Sequence, residues 1–255
     1  MTQSFPHSLD RTIVIGALPE VVFGFFTDSA RWAAWWGAGS TIEPREGGTV
    51  FVRHPGGVEA IGEVVEIMPP ERISFTYGYV SGSPVPPGGS RVTIQLRKVA
   101  EGTRLQLRHE FATADAVQHH VQGWRYQLSL FANAVANEVH ADAAAVADRW
   151  FAMWSNADAT ARNEELEALV VPNVAMRDRF SAIATKEDLR EHLAAVHHFM
   201  PGMTLQREGD ARHCQGVVVA DWVAISQGQV RGKGTNVFTL SAANQIESVT
   251  GLWLG

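Results

Sequence analysis

The chain has 255 residues, of which 45% are hydrophobic, and its formal net charge at pH 7 is −6. A chain of this length buries a full core and is more readily divided into two domains than one. The acidic balance gives no basic stripe of the kind that a phosphate backbone requires, so nucleic acid is not expected as a partner. The single cysteine, Cys214, excludes an internal disulfide and a thiolate metal site.

The N-terminal segment has neither the basic start nor the apolar stretch of a signal peptide. No run approaches the roughly 18 apolar residues of a membrane-spanning helix. We therefore expect a cytoplasmic protein that has no membrane partner. Neither nucleotide-binding fingerprint is present, and a GxSxG nucleophile elbow is absent. The sequence therefore predicts no cofactor.

In the first half, alternation over residues 11–17 predicts a half-buried strand, and Pro19 opens a helix. From Val117 to Val135, apolar residues recur at spacings of three and four, which predicts a long amphipathic helix. A curved antiparallel sheet gripped by this helix would enclose a cavity. Turn signals such as Glu46-Gly47-Gly48 accompany five further predicted strands, at residues 41–54, 58–68, 72–80, 90–98 and 103–111.

Aromatic residues are numerous in this half and are candidates to line the cavity. Trp35 and Trp36 are adjacent, so at least one of them must pack elsewhere. At each aromatic position, packing in the core is the competing interpretation. The candidate ligand-binding residues of the first half are Trp32, Trp36, Phe51, Phe75, Tyr77 and Trp124.

The order of motifs in this half resembles the START-like (SRPBCC) superfamily, and most closely its branch related to activators of the heat-shock chaperone ATPase. The resemblance covers residues 9–137 and implies a helix-grip fold with an internal hydrophobic cavity. Because that superfamily includes lipid carriers, hormone receptors and aromatase/cyclases, the fold does not select a function. The motifs that carry the resemblance are residues 19–23, 35–36, 45–48, 64–75 and 123–124.

In the second half, Asp142 is predicted to cap a helix that carries Val146 and Trp150, and a second helix is predicted over residues 164–170. Thr185 begins a third helix in a pattern that resembles a capping box. Helices followed by a curved antiparallel sheet indicate an α+β cone. The strands of that sheet are predicted at about 203–209, 211–226, 229–241 and 244–254.

Six short motifs follow one another in this half, at residues 149–152, 178–180, 188–189, 201–202, 221–222 and 251–253. Their order resembles the nuclear-transport-factor-like superfamily, which includes ketosteroid isomerases and SnoaL-like polyketide cyclases. The resemblance covers residues 142–255. It implies that Asp178 is a general base and that Asn236 is the donor to an oxyanion, which is the pair that proton abstraction next to a carbonyl requires.

Two points weigh against a steroid isomerase with Asp178 as its base. Trp150 stands where those isomerases place a tyrosine hydroxyl, and its indole is a donor only, with a bulk that shortens the pocket. The competing interpretation of Asp178 is a carboxylate at a strand end that pairs with Arg177 or Arg179, or that caps a turn. A smaller aromatic or polyketide-like ligand stays compatible with the pocket.

Asp221 and Trp222 alternate along one predicted strand, so only one of the two faces the cavity, and the pattern leaves both choices open. The histidine spacings do not bring three ligands onto one face, so no metal site is predicted. The candidate ligand-binding residues of the second half are Trp150, Trp154, His197, Asp221, Trp222 and Phe238.

The sequence thus predicts an α+β protein with an N-terminal helix-grip domain, residues 9–137, and a C-terminal cone domain, residues 142–255. The leading hypothesis is a carrier or sensor that binds a small hydrophobic or aromatic molecule in its cavities. One alternative is a cofactor-free isomerase or polyketide-cyclase-like lyase that uses Asp178 and Asn236. Another is a protein-interaction or co-chaperone-like module, and a homodimer is left open.

Overall fold

The computed structural model describes residues 4–254. Residues 1–3 of the N-terminal segment, and Gly255 at the end of the predicted second domain, lie outside the described residues. The fold class is α+β, as predicted, with two largely antiparallel sheets. The chain divides into two compact units, Met1–Glu138 and Val139–Gly255. No helix among the described residues is long and apolar enough to cross a bilayer.

The first unit is built on a seven-stranded antiparallel sheet in the order β1-β7-β6-β5-β4-β3-β2. Strands β2 to β7 follow one another as a meander, and β1 closes the far edge by pairing with β7. Their inward side chains form the core of this unit. The strands are β1 His7–Ile15, β2 Thr41–Ile42, β3 Thr49–Arg53, β4 Glu59–Met68, β5 Arg72–Tyr79, β6 Ser90–Val99 and β7 Gly102–Phe111.

Three helices complete the first unit: α1 Pro19–Gly24, α2 Ser29–Trp36 and α3 Ala114–Val139. Helix α2 was not predicted. It begins where the Asp28 carboxylate accepts a hydrogen bond from the Arg31 backbone N–H at 2.9 Å, which is an N-cap that the sequence shows. Phe131 of α3 packs edge-on against Trp35, with ring centroids 4.8 Å apart, and so joins the long helix to the core.

The prediction of one strand over residues 41–54 was wrong, because the segment forms two strands, β2 and β3. The connection passes through Gly47, whose φ of 72° suits glycine. The turn signal Glu46-Gly47-Gly48 therefore divides this segment, and it leaves only two residues for β2.

The second unit has three helices and a six-stranded sheet in the order β10-β11-β12-β13-β8-β9. All neighbouring strands are antiparallel except β13 and β8, which run parallel. Helix α4 packs on β10 and β11. The elements are α4 Ala143–Ser155, α5 Ala159–Leu169, β8 Val170–Arg177, β9 Ala182–Ile183, α6 Lys186–Phe199, β10 Thr204–Cys214, β11 Val217–Ser226, β12 Gln229–Leu240 and β13 Ile246–Leu254.

The helix caps of this unit were predicted in part. Thr185 caps α6 by accepting a hydrogen bond from the Asp188 N–H at 3.1 Å, as its pattern indicates. Asp142 occupies the N-cap position of α4 but makes no capping bond, because its backbone is not extended and its carboxylate accepts from Asn244 instead. Helix α5 starts earlier than predicted because Asp158 caps it.

The predicted strand break near residue 210 was also wrong. Strand β10 continues to Cys214 through a bulge between Glu208 and Arg212. Gly209, with a φ of 70°, lies in this bulge, and a glycine at such a position is as typical of a bulge as of a turn. The actual hairpin turn to β11 is formed by Gln215 and Gly216, with φ values of 48° and 81°.

Candidate ligand-binding cavities

The first unit contains a cavity of about 390 Å³, called the N-terminal cavity below. This volume falls within the range of about 300–1,000 Å³ that is typical of small-molecule sites. The end of α2, the β3–β4 turn, β5 and the first half of α3 contribute its walls. The lining residues are Trp36, His54, Pro55, Val58, Tyr77, Tyr79, His119, His120, Gly123, Trp124, Tyr126 and Gln127.

Three of the six candidate residues of the first half lie in this lining: Trp36, Tyr77 and Trp124. The rings of Trp36 and Tyr77 are stacked, with centroids 6.2 Å apart and planes at 22°. Trp124 meets Trp36 edge-on at 5.6 Å. The three rings thus give the cavity one continuous aromatic wall.

The other three candidates lie outside the N-terminal cavity. Trp32 and Phe75 are fully buried in the core, with ring centroids 5.7 Å apart, so core packing describes both. Phe51 is half-buried on the face of β3 opposite to the buried Val50 and Val52, because side chains alternate along a strand. Its ring instead contacts the Arg53 guanidinium at 5.6 Å.

Three polar residues of this cavity, His54, Tyr79 and His120, were not among the candidates. His54 Nε2 lies 2.9 Å from the Tyr77 hydroxyl, and His120 Nε2 lies 3.4 Å from the Tyr79 hydroxyl. Tyr77 and Tyr79 are two apart on β5 and therefore share a face. His120 and Trp124 are four apart on α3 and share a helix face. These spacings were visible in the sequence, whereas the approach of His54 depends on the fold.

A buried hydrogen-bonded chain supports the aromatic wall from behind. Trp124 Nε1 donates to His109 Nδ1 at 2.9 Å, and because an indole only donates, Nδ1 must be the acceptor. His109 Nε2 therefore carries the proton and donates to Ser90 Oγ at 2.8 Å. Ser90 Oγ in turn donates to the Tyr77 carbonyl at 2.7 Å. The chain fixes the tautomer of His109 and joins α3 to β5.

Four ionisable groups at the N-terminal cavity, His54, Tyr77, His109 and His120, have pKa values shifted in the direction that favours the neutral form. Burial, with the neighbouring His120, holds the pKa of His109 well below 6.5 and lowers that of His54. Burial also lowers the pKa of His120, although its hydrogen bond to the Ala116 carbonyl opposes this shift. Burial raises the pKa of Tyr77. Asp, Glu, Lys and Arg are absent from the lining formed by residues 4–254.

The second unit contains a further cavity of about 390 Å³, the C-terminal cavity. Helices α4 and α6 and strands β8 and β10 to β13 contribute to it. Both candidate catalytic residues, Asp178 and Asn236, line this cavity. The lining residues are Trp150, Phe151, Trp154, Met176, Asp178, Phe180, His192, Val196, Met200, Met203, Leu205, Trp222, Ala224, Arg231, Asn236 and Trp253.

Gly251 brings Asp178 and Asn236 together. It is the register partner of Asn236 across β12 and β13. A Cβ atom added at Gly251 would lie 2.9 Å from Asp178 Cβ and 3.3 Å from Asn236 Oδ1. The missing side chain therefore leaves the space in which the carboxylate and the amide converge.

Asp178 is firmly held at the end of β8. Its Oδ1 accepts hydrogen bonds from the Phe180 N–H, the Ser181 N–H and the Ser181 hydroxyl, each at 2.7 Å. Its Oδ2 lies 3.4 Å from Trp253 Nε1, a longer contact. Oδ1 therefore caps the turn that follows β8, which is one of the competing interpretations. Within residues 4–254, no salt bridge joins Asp178 to Arg177 or Arg179.

Trp222 orients the Asn236 amide. Its indole Nε1 donates to Asn236 Oδ1 at 3.0 Å, so the amide must present Oδ1 to the indole and direct Nδ2 elsewhere. Trp222 faces the cavity, while Asp221 on the other face of β11 accepts from the Thr235 hydroxyl at 2.6 Å. This settles the alternative between Trp222 and Asp221 that the sequence left open.

The remaining candidates of the second half divide between lining and core. Trp150 and Trp154 line the C-terminal cavity, with ring centroids 5.7 Å apart. Phe238 is buried behind Trp150 at 5.9 Å and does not line it. His197 also lies outside the lining, and burial lowers its pKa, with Arg162 adding to the shift. Its helical position next to the lining residue Val196 explains the misassignment, because successive helix residues point in different directions.

Eleven of the sixteen residues that line the C-terminal cavity were not among the candidates, including Trp253, His192 and Arg231. Trp253 packs edge-on against Trp222 at 4.8 Å, and His192 lies 5.7 Å from Trp154. Within residues 4–254, no cluster of three or more His, Cys, Asp or Glu side chains is arranged to hold a metal ion.

Comparisons with known proteins gave matches to parts of the chain. A putative isomerase of the SnoaL-like family from Agrobacterium tumefaciens is 20% identical, with a TM-score of 0.42, over 44% of this chain and 96% of that chain. The Aha1 dimer from Colwellia psychrerythraea is 21% identical, with a TM-score of 0.44, over 51% and 96%. No curated protein matches the sequence. Residues 17–136 match the family model described as activator of Hsp90 ATPase homolog 1-like protein, the branch that the motifs of the first half resemble.

Proposed function

We propose that this protein binds a small hydrophobic or aromatic molecule in internal cavities, as a carrier or sensor. We assign residues 9–137 to a START-like helix-grip domain and residues 142–255 to a nuclear-transport-factor-like cone domain. The observation that carries the proposal is that each unit holds a cavity of about 390 Å³. Each cavity is walled by aromatic rings with a few convergent polar groups, which is the usual composition of a small-molecule site.

The apolar surface that a ligand buries against the aromatic walls determines its expected affinity. A single ring system buries roughly 150–250 Å² of apolar surface, which at about 25 cal/mol per Å² favours binding by about 4–6 kcal/mol. Before polar contacts and the entropic cost of association, this corresponds to dissociation constants from about 1 mM to tens of micromolar. Two fused rings with one satisfied hydrogen bond would bind more tightly.

The first experiment is to purify the full chain, extract it with organic solvent and identify any bound compound by mass spectrometry. Two cavity-filling variants assign the compound to a site. Gly123→Leu places a side chain where a Cβ meets nothing within 4 Å at the N-terminal cavity, and Ala224→Phe fills the C-terminal cavity. Loss of the compound from one variant alone would locate it. Empty protein that also fails to bind any aromatic probe in calorimetry would contradict the proposal.

A second candidate function is a cofactor-free isomerase or polyketide-cyclase-like lyase in the C-terminal cavity. The convergence of Asp178 and Asn236 beside Gly251 favours it. Asp178 Oδ2 would take a proton from the carbon next to a ligand carbonyl, and Asn236 Nδ2 would donate to the enolate oxygen that forms. Trp150 would close the pocket against larger ligands.

Deuterium exchange tests this second function without knowledge of the natural substrate. The full chain is incubated with 2-tetralone in D₂O, and loss of the α-proton signals is followed by NMR. If Asp178 is the base, Asp178→Asn removes the protein-dependent exchange, while an amide at this position still accepts from the turn donors through one oxygen. Unchanged exchange in a folded Asp178→Asn variant would remove Asp178 from the mechanism.

The protein-interaction alternative would be favoured by cavities filled with side chains. Both cavities are open, and we therefore do not adopt it. Pairing of two copies stays a prediction that a light-scattering mass measurement of the full chain would test.

A further inference from the structure

We propose that the N-terminal cavity selects uncharged aromatic alcohols, with the ligand hydroxyl bound between Tyr79 and His120. This inference rests on the proposed ligand-binding function and names the ligand class for one of the two cavities. The site is built from side chains that the sequence analysis did not select. Tyr79 lies on β5 and His120 on α3, so the two walls of the cavity each contribute one polar group.

The hydrogen bonding of His120 defines what the ligand must offer. His120 Nδ1 lies 2.7 Å from the Ala116 carbonyl, which can only accept, so Nδ1 carries the proton. In the neutral ring, Nε2 is then an acceptor. Because His120 is 94% buried, bulk water has little access to this acceptor. Nε2 can therefore accept from the hydroxyl of a molecule that enters the cavity.

The one donor within reach of His120 Nε2 among the described side chains is the Tyr79 hydroxyl, and it is too far away to form a good bond. Their separation is 3.4 Å, against about 2.7–3.0 Å for well-formed hydrogen bonds of this kind. A ligand hydroxyl placed beside both groups would accept from Tyr79 and donate to His120 Nε2. A ketone or an ether could accept from Tyr79 but has no proton for His120. The geometry thus distinguishes an alcohol from the other uncharged oxygen groups.

The lining formed by residues 4–254 offers an ionic ligand no Lys, Arg, Asp or Glu side chain as a partner. No Lys or Arg among residues 4–254 lines the cavity to pair with a carboxylate, and no Asp or Glu lines it to pair with an amine. The buried imidazoles are neutral at pH 7, since burial lowers the pKa of His54 and of His120. An ion that entered would lose its hydration without gaining a partner of opposite charge.

The aromatic wall would contact the apolar part of the ligand. The stacked pair of Trp36 and Tyr77 and the edge of Trp124 present flat apolar surfaces. His54 Nε2 lies 2.9 Å from the Tyr77 hydroxyl, so this hydroxyl already has one partner, unlike the more weakly bonded Tyr79 hydroxyl. A planar ring system carrying one hydroxyl matches this division into an apolar wall and a single polar corner.

The test uses the full chain, isothermal titration calorimetry at pH 7.5 and three probes of one ring size: 2-naphthol, 2-methoxynaphthalene and 2-naphthoate. We expect 2-naphthol to bind about tenfold more tightly than its methyl ether, which is the typical gain from one net hydrogen bond. We expect no measurable binding of 2-naphthoate. Equal affinities for the alcohol and the ether would overturn the inference, as would tighter binding of the carboxylate.

Matched variants locate the effect. Tyr79→Phe should weaken 2-naphthol while sparing the ether, because only the hydroxyl is lost. Gly123→Leu should abolish binding of both probes, whereas Ala224→Phe in the C-terminal cavity should not. A preference that survives Tyr79→Phe would overturn the assignment to Tyr79 and His120.

The outcome separates this inference from the function on which it rests. If the alcohol and the ether bind equally and Gly123→Leu abolishes both, the cavity binds aromatic molecules but does not select a hydroxyl. If no probe binds the full chain, or if Gly123→Leu changes nothing, the ligand-binding role of the N-terminal cavity fails together with the inference.

Discussion

The buried His109 makes the stability of the protein depend on pH, and the size of the effect follows from its surroundings. His109 is fully buried, and burial with the adjacent His120 holds its pKa well below 6.5. In the unfolded chain its pKa returns to about 6.5, so between these two values only the unfolded state binds the proton. Stability is therefore fully present above pH 6.5 and is lost as the pH falls below it.

The magnitude follows from this linkage. A group that stays neutral when folded and titrates at about 6.5 when unfolded removes about 1 kcal/mol of unfolding free energy between pH 6.5 and 5.5. His54 and His120 have lowered pKa values and act in the same direction. The carboxylates with shifted pKa values, Asp148 and Glu167, are shifted downward and titrate at lower pH.

A variant isolates the contribution of His109. In His109→Gln, the amide can accept from Trp124 and donate to Ser90, as the neutral imidazole does, but it does not titrate. Urea unfolding of the two proteins at pH 7.5, 6.5 and 5.5, followed by circular dichroism, gives the comparison. We expect the fall from pH 6.5 to 5.5 to be smaller in the variant by about 1 kcal/mol. Identical pH profiles would refute the assignment of a neutral buried His109.

Three further changes have defined outcomes. Asp178→Ala should lower the unfolding free energy by about 1–2 kcal/mol more than Asp178→Asn, because it removes the acceptor of the turn N–H groups. Paired urea titrations measure this difference, and equal unfolding free energies for the two variants would contradict it. Gly251→Ala should abolish ligand binding in the C-terminal cavity by separating Asp178 and Asn236, while calorimetry with 2-naphthol at the N-terminal cavity stays unchanged. Gly123→Ala fills open space within a helix and should raise stability by about 0.5–1 kcal/mol, so a lower melting temperature would contradict the packing at this position.

Regular periodicity made most of the secondary structure predictable. The spacing from Val117 to Val135 marks α3, and the alternation along residues 90–98 and 103–111 matches β6 and β7 closely. Helix α2 was missed although Trp32, Trp35 and Trp36 have the spacing of one buried helix face, because a segment of eight residues shows that spacing only once. The strand break near residue 210 was misplaced because a local glycine signal does not distinguish a bulge from a turn.

Face assignment limited the prediction of the cavities. The candidates of the first half were chosen because they are aromatic. Trp32 and Phe75 are aromatic, as Tyr77 is, but they lie in the core, whereas Tyr77 lines the cavity. Strand alternation, applied to β3, would have set Phe51 apart from Val50. The approach of His54 to Tyr77 spans 23 residues and depends on how the sheet folds back, which no local pattern encodes.

The two cavities offer different chemistry, and this difference is the strongest reason to assay them separately. The N-terminal cavity presents neutral imidazole and phenol groups without a carboxylate, which suits recognition of a hydroxyl. The C-terminal cavity presents a carboxylate beside an oriented amide, which suits a carbonyl with an acidic neighbouring proton. An aromatic alcohol such as 2-naphthol and an aromatic ketone such as 2-tetralone should therefore compete poorly with each other. If each displaces the other completely, aromatic surface alone governs binding, and the polar groups of neither cavity select the ligand.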